Sequence, residues 1–221
     1  MFVPLNESNP PTEFLEAIDP WALGFLGLAV SDANHRLRQR WSGIELEPLQ
    51  GLADVLSRFD VNGIELNIEL SLVSAVRSGG NEELIGDVFY IPPMLSEEQH
   101  RNLILESGLD CDPLLSEFFR LFGGLRELTG LGKFIYDENP WPRFRKSPKF
   151  RSEDGKWDGS HILFYSVDGN VLIRRDDGVI GWTVGVEGII SEFAEGSEEF
   201  VDQFAEHRQA AWPFDPYGVR E

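Results

Sequence analysis

Two Asp-Gly turns that separate three apolar runs constrain the fold of this chain more than any other feature of its sequence. The runs cover residues 161–167, 170–175 and 179–184 and are rich in β-branched and aromatic residues, which predicts buried strands. Glycine accepts the positive φ that a tight hairpin needs, so Asp168-Gly169 and Asp177-Gly178 predict the turns between them. The pattern therefore predicts an antiparallel meander of three strands.

A short acidic helix is predicted to follow this meander. After Gly185 the apolar periodicity changes towards that of a helix. Ser197 can cap a segment that places Phe200, Val201 and Phe204 on one apolar face. Three strands and a closing helix would then form one coherent unit.

The motifs in this unit carry a family resemblance. The order of strand, DGN turn, strand, DDG turn, strand and FAEGSEEFVDQF (193–204) resembles the end of the SUKH superfamily, which includes fungal cell-wall assembly regulators and bacterial toxin-immunity proteins. Upstream, LSEEQHRNLILESGLDCDPLLSEFFRLFGGL (95–125) is similar to that family's opening: a helix, a break and a second helix that ends in aromatic residues and Gly-Gly. Asp112-Pro113 stands where the family usually has Leu-Pro. The similarity covers Pro92 to Glu206, about half of the chain.

The resemblance implies a fold and a domain organisation. We expect an α+β fold with a mostly antiparallel sheet, helices packed on one of its faces, and a SUKH-like domain over residues 92–221. Within this domain, Ser96 and Gln99 match a capping box at the start of one helix, and Asp112-Pro113 predicts the start of the next. The helical N-terminal extension then covers residues 1–91.

The extension itself contains predicted structure. Asp19-Pro20 predicts the start of a helix that continues through the apolar run from Trp21 to Val30. Glu47-Pro48 begins another helix, and strict alternation of apolar and polar residues predicts a strand from Ile64 to Leu72, with a return strand over residues 84–91. The extension is expected either to complete the later sheet or to form a small neighbouring unit.

The net charge of −19 limits the classes of partner. Binding of nucleic acid or of an anionic membrane depends on clustered Lys and Arg, so neither is expected as the main partner. An acidic surface instead steers a basic protein towards it, although acidity can also serve solubility alone. Residues 187–206 carry seven carboxylates and no Lys or Arg. The predicted partner-binding residues are Asp176, Asp177, Trp182, Glu187, Glu192, Glu195, Glu198, Glu199 and Asp202.

Basic residues are concentrated in two places. The segment 132–158 interleaves Lys and Arg with aromatic residues, a pattern typical of single-stranded nucleic-acid binding but also of a surface loop whose aromatic side chains pack on the sheet. The acidity of the rest of the chain favours the loop. A second basic island, His35 to Arg40, predicts a solvated helix face that pairs with the chain's own carboxylates, or a contact for an acidic partner or phosphate.

No catalytic signature is present in the sequence. It contains no P-loop, no Gly-x-Ser-x-Gly and no His-Glu-x-x-His motif, and Cys111 is its only cysteine. Asp158, Ser160 and His161 are close in sequence, but neighbours in a turn seldom have the geometry of a triad. No metal ion or cofactor is therefore expected. A small-molecule enzyme that uses His161 and nearby carboxylates remains an alternative.

The function that follows from the resemblance is protein binding. Family members bind another protein, and many bacterial members neutralise a cognate toxin, often a nuclease. We therefore expect a non-catalytic immunity protein with a basic partner; the alternative within the same fold is a regulatory or scaffold protein without a toxin partner. The single cysteine and an N-terminus without signal-peptide features predict a cytoplasmic protein, and no apolar run is long enough to span a membrane.

Overall fold

The computed structural model describes residues 2–18, 20–66, 71–77, 89–91, 95–127, 133–134, 141–145, 155–165, 169–184 and 189–209. Within these residues the helices are α1 (Thr12–Ala17), α2 (Pro20–Leu23), α3 (Val30–Arg38), α4 (Glu47–Leu56), α5 (Glu97–Glu106), α6 (Pro113–Phe122) and α7 (Ser197–Gln209), and a 3-10 turn (Gln39–Trp41) follows α3. The strands are β1 (Phe2–Pro4), β2 (Phe59–Leu66), β3 (Ser71–Arg77), β4 (Phe89–Ile91), β5 (Arg126–Glu127), β6 (Lys133–Phe134), β7 (His161–Tyr165), β8 (Val171–Arg174), β9 (Ile180–Val184) and β10 (Ile189–Ala194).

The described strands pair antiparallel and in chain order, from β1 at one edge to β10 at the other. The predicted α+β class with an antiparallel sheet is therefore confirmed. Strands from the first 91 residues belong to the same sheet as the carboxyl-terminal strands, joined through β4, β5 and β6. The SUKH-like detail and the domain boundary after residue 91 stay predictions.

Seven helices cover one face of this sheet in the described part of the chain. Each of them contributes buried apolar side chains to one large core cluster. At the centre of that cluster, the ring centroid of Phe118 on α6 lies 5.2 Å from that of Phe134 on β6 and 5.2 Å from that of Phe200 on α7, both in edge-to-face geometry. Aromatic pairs favour this arrangement, so α6 and α7 are held on the sheet by ring packing.

The other face of β7 and β8 has its own apolar cover. Because side chains alternate along a strand, Leu172 points into the large core while Val171 and Ile173 point the other way. Phe144 and Trp157, which lie outside helices and strands, pack against that second side. A smaller apolar cluster therefore consists of Phe144, Trp157, Ile162, Val171 and Ile173.

Several sequence predictions are confirmed in detail. The Ser96 side chain accepts a hydrogen bond from Gln99 N, and the Gln99 side chain accepts one from Ser96 N, which completes the capping box of α5. Asp112 Oδ1 accepts from Leu115 N at 3.0 Å and caps α6. The predicted helix at Glu47-Pro48 is α4, and the three predicted carboxyl-terminal strands are β7, β8 and β9.

Two predictions in the extension are wrong. The helix expected from Trp21 to Val30 ends at Leu23, because the backbone turns over residues 24–27 and Gly27 adopts a φ of 78°, which a helix does not allow. The single strand expected from Ile64 to Leu72 is instead the end of β2 and the start of β3, which pair antiparallel with Leu66 opposite Ser71. Local alternation is the same for one long strand and for two strands of a hairpin, so periodicity could not separate them. Residues 84–88 of the predicted return strand lie outside the described residues.

Two predictions near the carboxyl-terminal end also need correction. The segment after Gly185 does not lead directly into a helix, because β10 pairs with β9 through residues such as Ile190 opposite Thr183. Ser197 is the first residue of α7, and its hydroxyl donates a hydrogen bond to Asp112 Oδ2. Phe200, Val201 and Phe204 are buried as predicted.

Candidate functional site

An acidic groove lies between α4 and α7, which pack side by side. The groove has a volume of about 540 Å³, and the described residues that line it include four exposed carboxylate residues and no basic residue. The lining residues are Glu47, Pro48, Gly51, Val55, Glu198, Asp202, Ala205 and Glu206. We call this feature the acidic groove.

Helix geometry places the carboxylates of α7 in the acidic groove. Glu198, Asp202 and Glu206 follow one another at intervals of four residues, so they share one face of the helix and rise about 6 Å from one to the next. The opposite face of α7 is buried in the large core through Phe200 and Phe204. The same amphipathic pattern that anchors the helix therefore exposes its row of acids.

Helix energetics do not account for the whole row of acids on α7. Like charges four residues apart on a helix are mildly destabilising, by about 0.2–0.5 kcal/mol for each pair. Glu47 lies in the first turn of α4 and Glu198 in the first turn of α7, where the helix dipole favours a negative charge. Asp202 and Glu206 lie beyond that turn, so helix stability does not explain their position.

Glu195 and Glu199, two more of the predicted partner-binding residues, lie on either side of the first residue of α7. Glu199 Oε2 accepts a hydrogen bond from Glu195 N at 2.7 Å, and Glu199 Oε1 accepts one from Gln203 Nε2 at 3.0 Å. Both Glu195 and Glu199 are exposed. Glu199 therefore has a structural role at the helix start in addition to its charge.

The acids at the β8–β9 hairpin lie in a different, mixed-charge site. Arg175 hydrogen-bonds Asp177 through two nitrogens, and this bond lowers the pKa of the Asp177 carboxyl. Glu192 accepts from Lys156 Nζ at 2.8 Å, and Arg143 Nη1 lies 3.4 Å from Asp176 Oδ1. A cavity of about 390 Å³ is lined here by Lys156, Asp158, Gly159, Ser160, Arg175, Asp176 and Asp177.

The predicted partner-binding residues therefore do not lie in one site. Glu198 and Asp202 lie in the acidic groove, whereas Asp176, Asp177 and Glu192 are matched by cations of the chain itself. Trp182 was predicted as an exposed anchor, but it is 3% exposed and packs near Phe164 in the large core, so that prediction is corrected. Its burial follows from the face of β9 on which it lies, because Ile180 and Trp182, two positions apart, both belong to the large core. Glu187 lies outside the described residues.

Sequence reasoning missed half of the groove. Glu47 was recognised only as the start of a helix, yet α4 brings it opposite the acids of α7. The two helices are about 150 residues apart in the chain, and no local pattern links them. The weak signal was the i, i+4, i+8 spacing of acids on α7, which indicates one face but not what lies across from it.

Aromatic residues of the basic segment 132–158 are largely core residues where the structure describes them. Four of its aromatic side chains are buried and therefore cannot stack on bases: Phe134, Trp141, Phe144 and Trp157. Their burial agrees with the second interpretation of this segment, a loop whose aromatic side chains pack on the sheet. Tyr136 and Phe150, like the side chains of most of the segment's Lys and Arg residues, lie outside the described part of the chain.

The basic island of α3 makes contacts within the chain. Arg36 Nη1 donates to Gly24 O at 3.0 Å, Arg38 donates to Ser57 O, and the Arg40 guanidinium lies 4.7 Å from the centroid of the Trp21 ring. The contacts described for these arginines are to backbone carbonyls, for Arg36 and Arg38, and to aromatic rings, for Arg36 and Arg40.

His161 is a buried, neutral imidazole. It is 1% exposed, and burial together with the nearby Arg143 lowers its pKa to about 4. Its Nδ1 lies 3.3 Å from Arg143 Nη1, and His161 lines neither of the two cavities described above. The local sequence Asp158, Ser160, His161 therefore supplies no arrangement in which the imidazole contacts the hydroxyl across a reaction cavity.

A buried charge junction joins three elements that sequence reasoning did not connect. Arg174 Nη2 on β8 donates to Asp112 Oδ2 at 2.9 Å, and the Ser197 hydroxyl at the start of α7 donates to the same oxygen. The side chains of Arg174 and Asp112 are 5% and 12% exposed. Asp112 thus fixes α6, β8 and the amino-terminal end of the acidic helix relative to one another.

No protein-family model, curated protein or solved structure matches this chain. Among the described residues, no cluster of three or more His, Cys, Asp or Glu side chains has the geometry to hold a metal ion. None of the described helices combines the length and the apolar character needed to cross a membrane. The SUKH resemblance accordingly stays a prediction from the sequence motifs.

Proposed function

We propose that this chain is a non-catalytic protein-binding module of the immunity-protein kind, which holds a basic, nuclease-type toxin in its acidic groove. The observation that carries the proposal is the lining of that groove: four exposed carboxylates from α4 and α7, with no basic residue among the described residues that line it. The net charge of −19 means that the chain as a whole also attracts a basic partner. The resemblance of the closing motif to toxin-immunity proteins agrees with this function.

The physical basis is competition for a cationic surface. A nuclease binds phosphates through Lys and Arg, and a row of carboxylates at intervals of about 6 Å offers such a surface an alternative set of anions. Charge complementarity mainly raises the association rate and selects the partner, and salt weakens it. Val55 and Ala205 supply apolar surface within the groove, which can add contact area for a side chain of the partner.

Affinity capture tests the proposal. Immobilised wild-type protein is incubated at low salt with lysate of the source cells, and retained proteins are identified by mass spectrometry. We expect a basic protein that is lost when Glu198 and Asp202 are both replaced by Lys. The matched control is the double variant Glu98→Lys/Glu106→Lys on α5, which changes the net charge equally at exposed positions outside the groove.

The captured partner then decides between the two forms of the hypothesis. Inhibition of a nuclease activity of the partner by the wild type, but not by the groove variant, supports an immunity function. A basic partner without toxic activity supports the regulatory or scaffold alternative. Retention of only acidic proteins, or equal retention by the groove variant and the control variant, would refute the role of the acidic groove.

A further inference from the structure

Residues 141–145 form a strap along the beginning of β7. Phe144 N donates to Ser160 O at 2.7 Å, Gly159 N donates to Phe144 O at 2.9 Å, and Ile162 N donates to Pro142 O at 2.9 Å. Arg143 also pairs with His161 as an isolated antiparallel bridge. The strap carries Phe144, which covers the smaller apolar cluster.

Arg143 ties the strap to its surroundings. Its Nη1 donates to Gly159 O at 2.9 Å and approaches His161 Nδ1 at 3.3 Å and Asp176 Oδ1 at 3.4 Å. A guanidinium has only donors and keeps its proton at any ordinary pH. Nδ1 of His161 must therefore be the acceptor, and the proton of the neutral imidazole resides on Nε2.

Two of the three described charged groups that act directly on His161 are positive. Arg143 faces it from the strap, and Arg174 lies directly opposite it in the register of β7 and β8. The carboxylate of Arg174's partner, Asp112, is engaged by that guanidinium, and Asp176, in the turn after β8, is exposed. The Ser107 backbone approaches from the end of α5. His161 Nε2 is buried and has no hydrogen-bond partner among the described residues.

A second proton on this imidazole would change the contact with the strap. Protonated His161 would carry N–H at Nδ1, so two donors and two positive charges would face each other at 3.3 Å. The lone pair that accepts from Arg143 would no longer exist. The Asp176 side chain is 88% exposed, so it is too well solvated to compensate a buried imidazolium beside the half-exposed Arg143 guanidinium.

We propose that protonation of His161 releases the strap from β7, so that the strap is an acid-sensitive cover of the smaller apolar cluster. Burial and Arg143 lower the pKa of His161 to about 4, which keeps the strap closed at neutral pH. Trp141 stays in place, because its ring centroid lies 4.4 Å from that of Phe119 in the large core. The described residues that move are therefore 142–145, and their release uncovers Trp157 and the outer side of β7 and β8.

Linkage sets the expected size of the effect. If the released strap returns His161 to its ordinary pKa of 6.5, the equilibrium constant for opening rises roughly twentyfold between pH 7 and pH 5. The comparison stops at pH 5 because the isoelectric point of the sequence is about 4.5, where solubility is lowest. The change is large enough to measure at individual amides.

Hydrogen exchange followed by NMR tests the strap, with protection corrected for the intrinsic effect of pH. In the wild type, we expect the protection of the Phe144, Gly159 and Ile162 amides to fall roughly twentyfold from pH 7 to pH 5, while amides of α6 keep theirs. His161→Gln offers Arg143 an acceptor that does not titrate, so its strap should keep its protection. His100→Gln replaces another buried histidine and should behave as the wild type does.

Two results would overturn the proposal: an equal fall of protection in the wild type and in His161→Gln, or a fall that extends uniformly to α6. If His161→Gln does not fold, Arg143→Gln provides the test. Loss of the guanidinium charge raises the pKa of His161 in the closed state towards its ordinary value, so the fall in protection between pH 7 and pH 5 should become smaller than in the wild type. An unchanged, roughly twentyfold fall in that variant would equally refute the strap mechanism.

Discussion

Replacement of Asp112 by Ala should destabilise this protein more than any loss of a surface charge. Asp112 serves three groups at once: Oδ1 accepts from Leu115 N, while Oδ2 accepts from Arg174 and from the Ser197 hydroxyl. The substitution removes the cap of α6 and leaves a guanidinium that is 5% exposed without its carboxylate. Helix α7 also loses its polar link to α6.

Removing one partner of a buried ion pair costs about 3–5 kcal/mol, because the remaining charge is uncompensated. Loss of an Asp cap costs about 1 kcal/mol more. We therefore expect Asp112→Ala to lower the free energy of unfolding by about 5 kcal/mol. Asp112→Asn keeps an acceptor for Leu115 N and should lose less.

Chemical denaturation followed by circular dichroism measures this loss. Glu117→Ala is the matched control, because Glu117 pairs with Arg120 in an exposed ion pair of α6 that should be worth about 0.5 kcal/mol. The double variant Asp112→Ala/Arg174→Met should recover part of the stability, since it removes the stranded charge. A loss below about 1 kcal/mol for Asp112→Ala, or no recovery in the double variant, would refute the assigned role of the junction.

Two further predictions concern packing and pH. In Gly181→Ala the new Cβ would lie 2.5 Å from the Trp157 ring, so the free energy of unfolding should fall by about 1–3 kcal/mol. Gly51→Ala, in open space on α4, should instead raise the free energy of unfolding by about 1 kcal/mol. Denaturation curves that show a change of the same sign for both variants would contradict this. Because His161 is neutral when folded, its contribution to stability is complete above pH 6.5 and decreases as the pH falls towards 4, by about 3 kcal/mol in total. Denaturation at several pH values should show a smaller decrease in His161→Gln.

Sequence patterns predicted those elements whose signals are local. The capping box at Ser96 and the Asp112-Pro113 helix start were predictable because a cap involves residues three positions apart. The strands β7, β8 and β9 were predictable because Asp-Gly turns interrupt apolar runs. Each of these signals lies within about ten residues, so no knowledge of the tertiary structure was needed.

Predictions failed where distant partners decide the local conformation. β10 has a mixed polar pattern, and it is a strand because β9 offers it a hydrogen-bonding edge. The run after Trp21 is apolar enough for a buried helix, but it contains two glycines, which favour a helix only weakly. The chain turns there instead, with Gly27 at positive φ and with Gly24 O accepting a hydrogen bond from the Arg36 side chain. Propensity is a weak preference, and tertiary contacts overrode it at both positions.

The candidate site shows the same division. Acids spaced by four residues on α7 were visible in the sequence, as was the overall negative charge. The sequence did not show which of the nine predicted partner-binding residues pair with cations of the chain itself. Lys156 and Arg143 lie more than thirty residues from their partners, Glu192 and Asp176. The burial of Trp182 was not visible either, because it depends on which face of β9 the core covers.

By itself, the sequence determined the class of fold, the acidic character of the last helix and the positions of most helix starts, since composition, periodicity and capping act between near neighbours. Only the tertiary structure decided that Glu47 faces the acids of α7, that Asp112 holds Arg174, and that His161 lies beneath a strap. Charges act through space and depend on burial, so their pairing is fixed only when the packed sheet brings distant residues together.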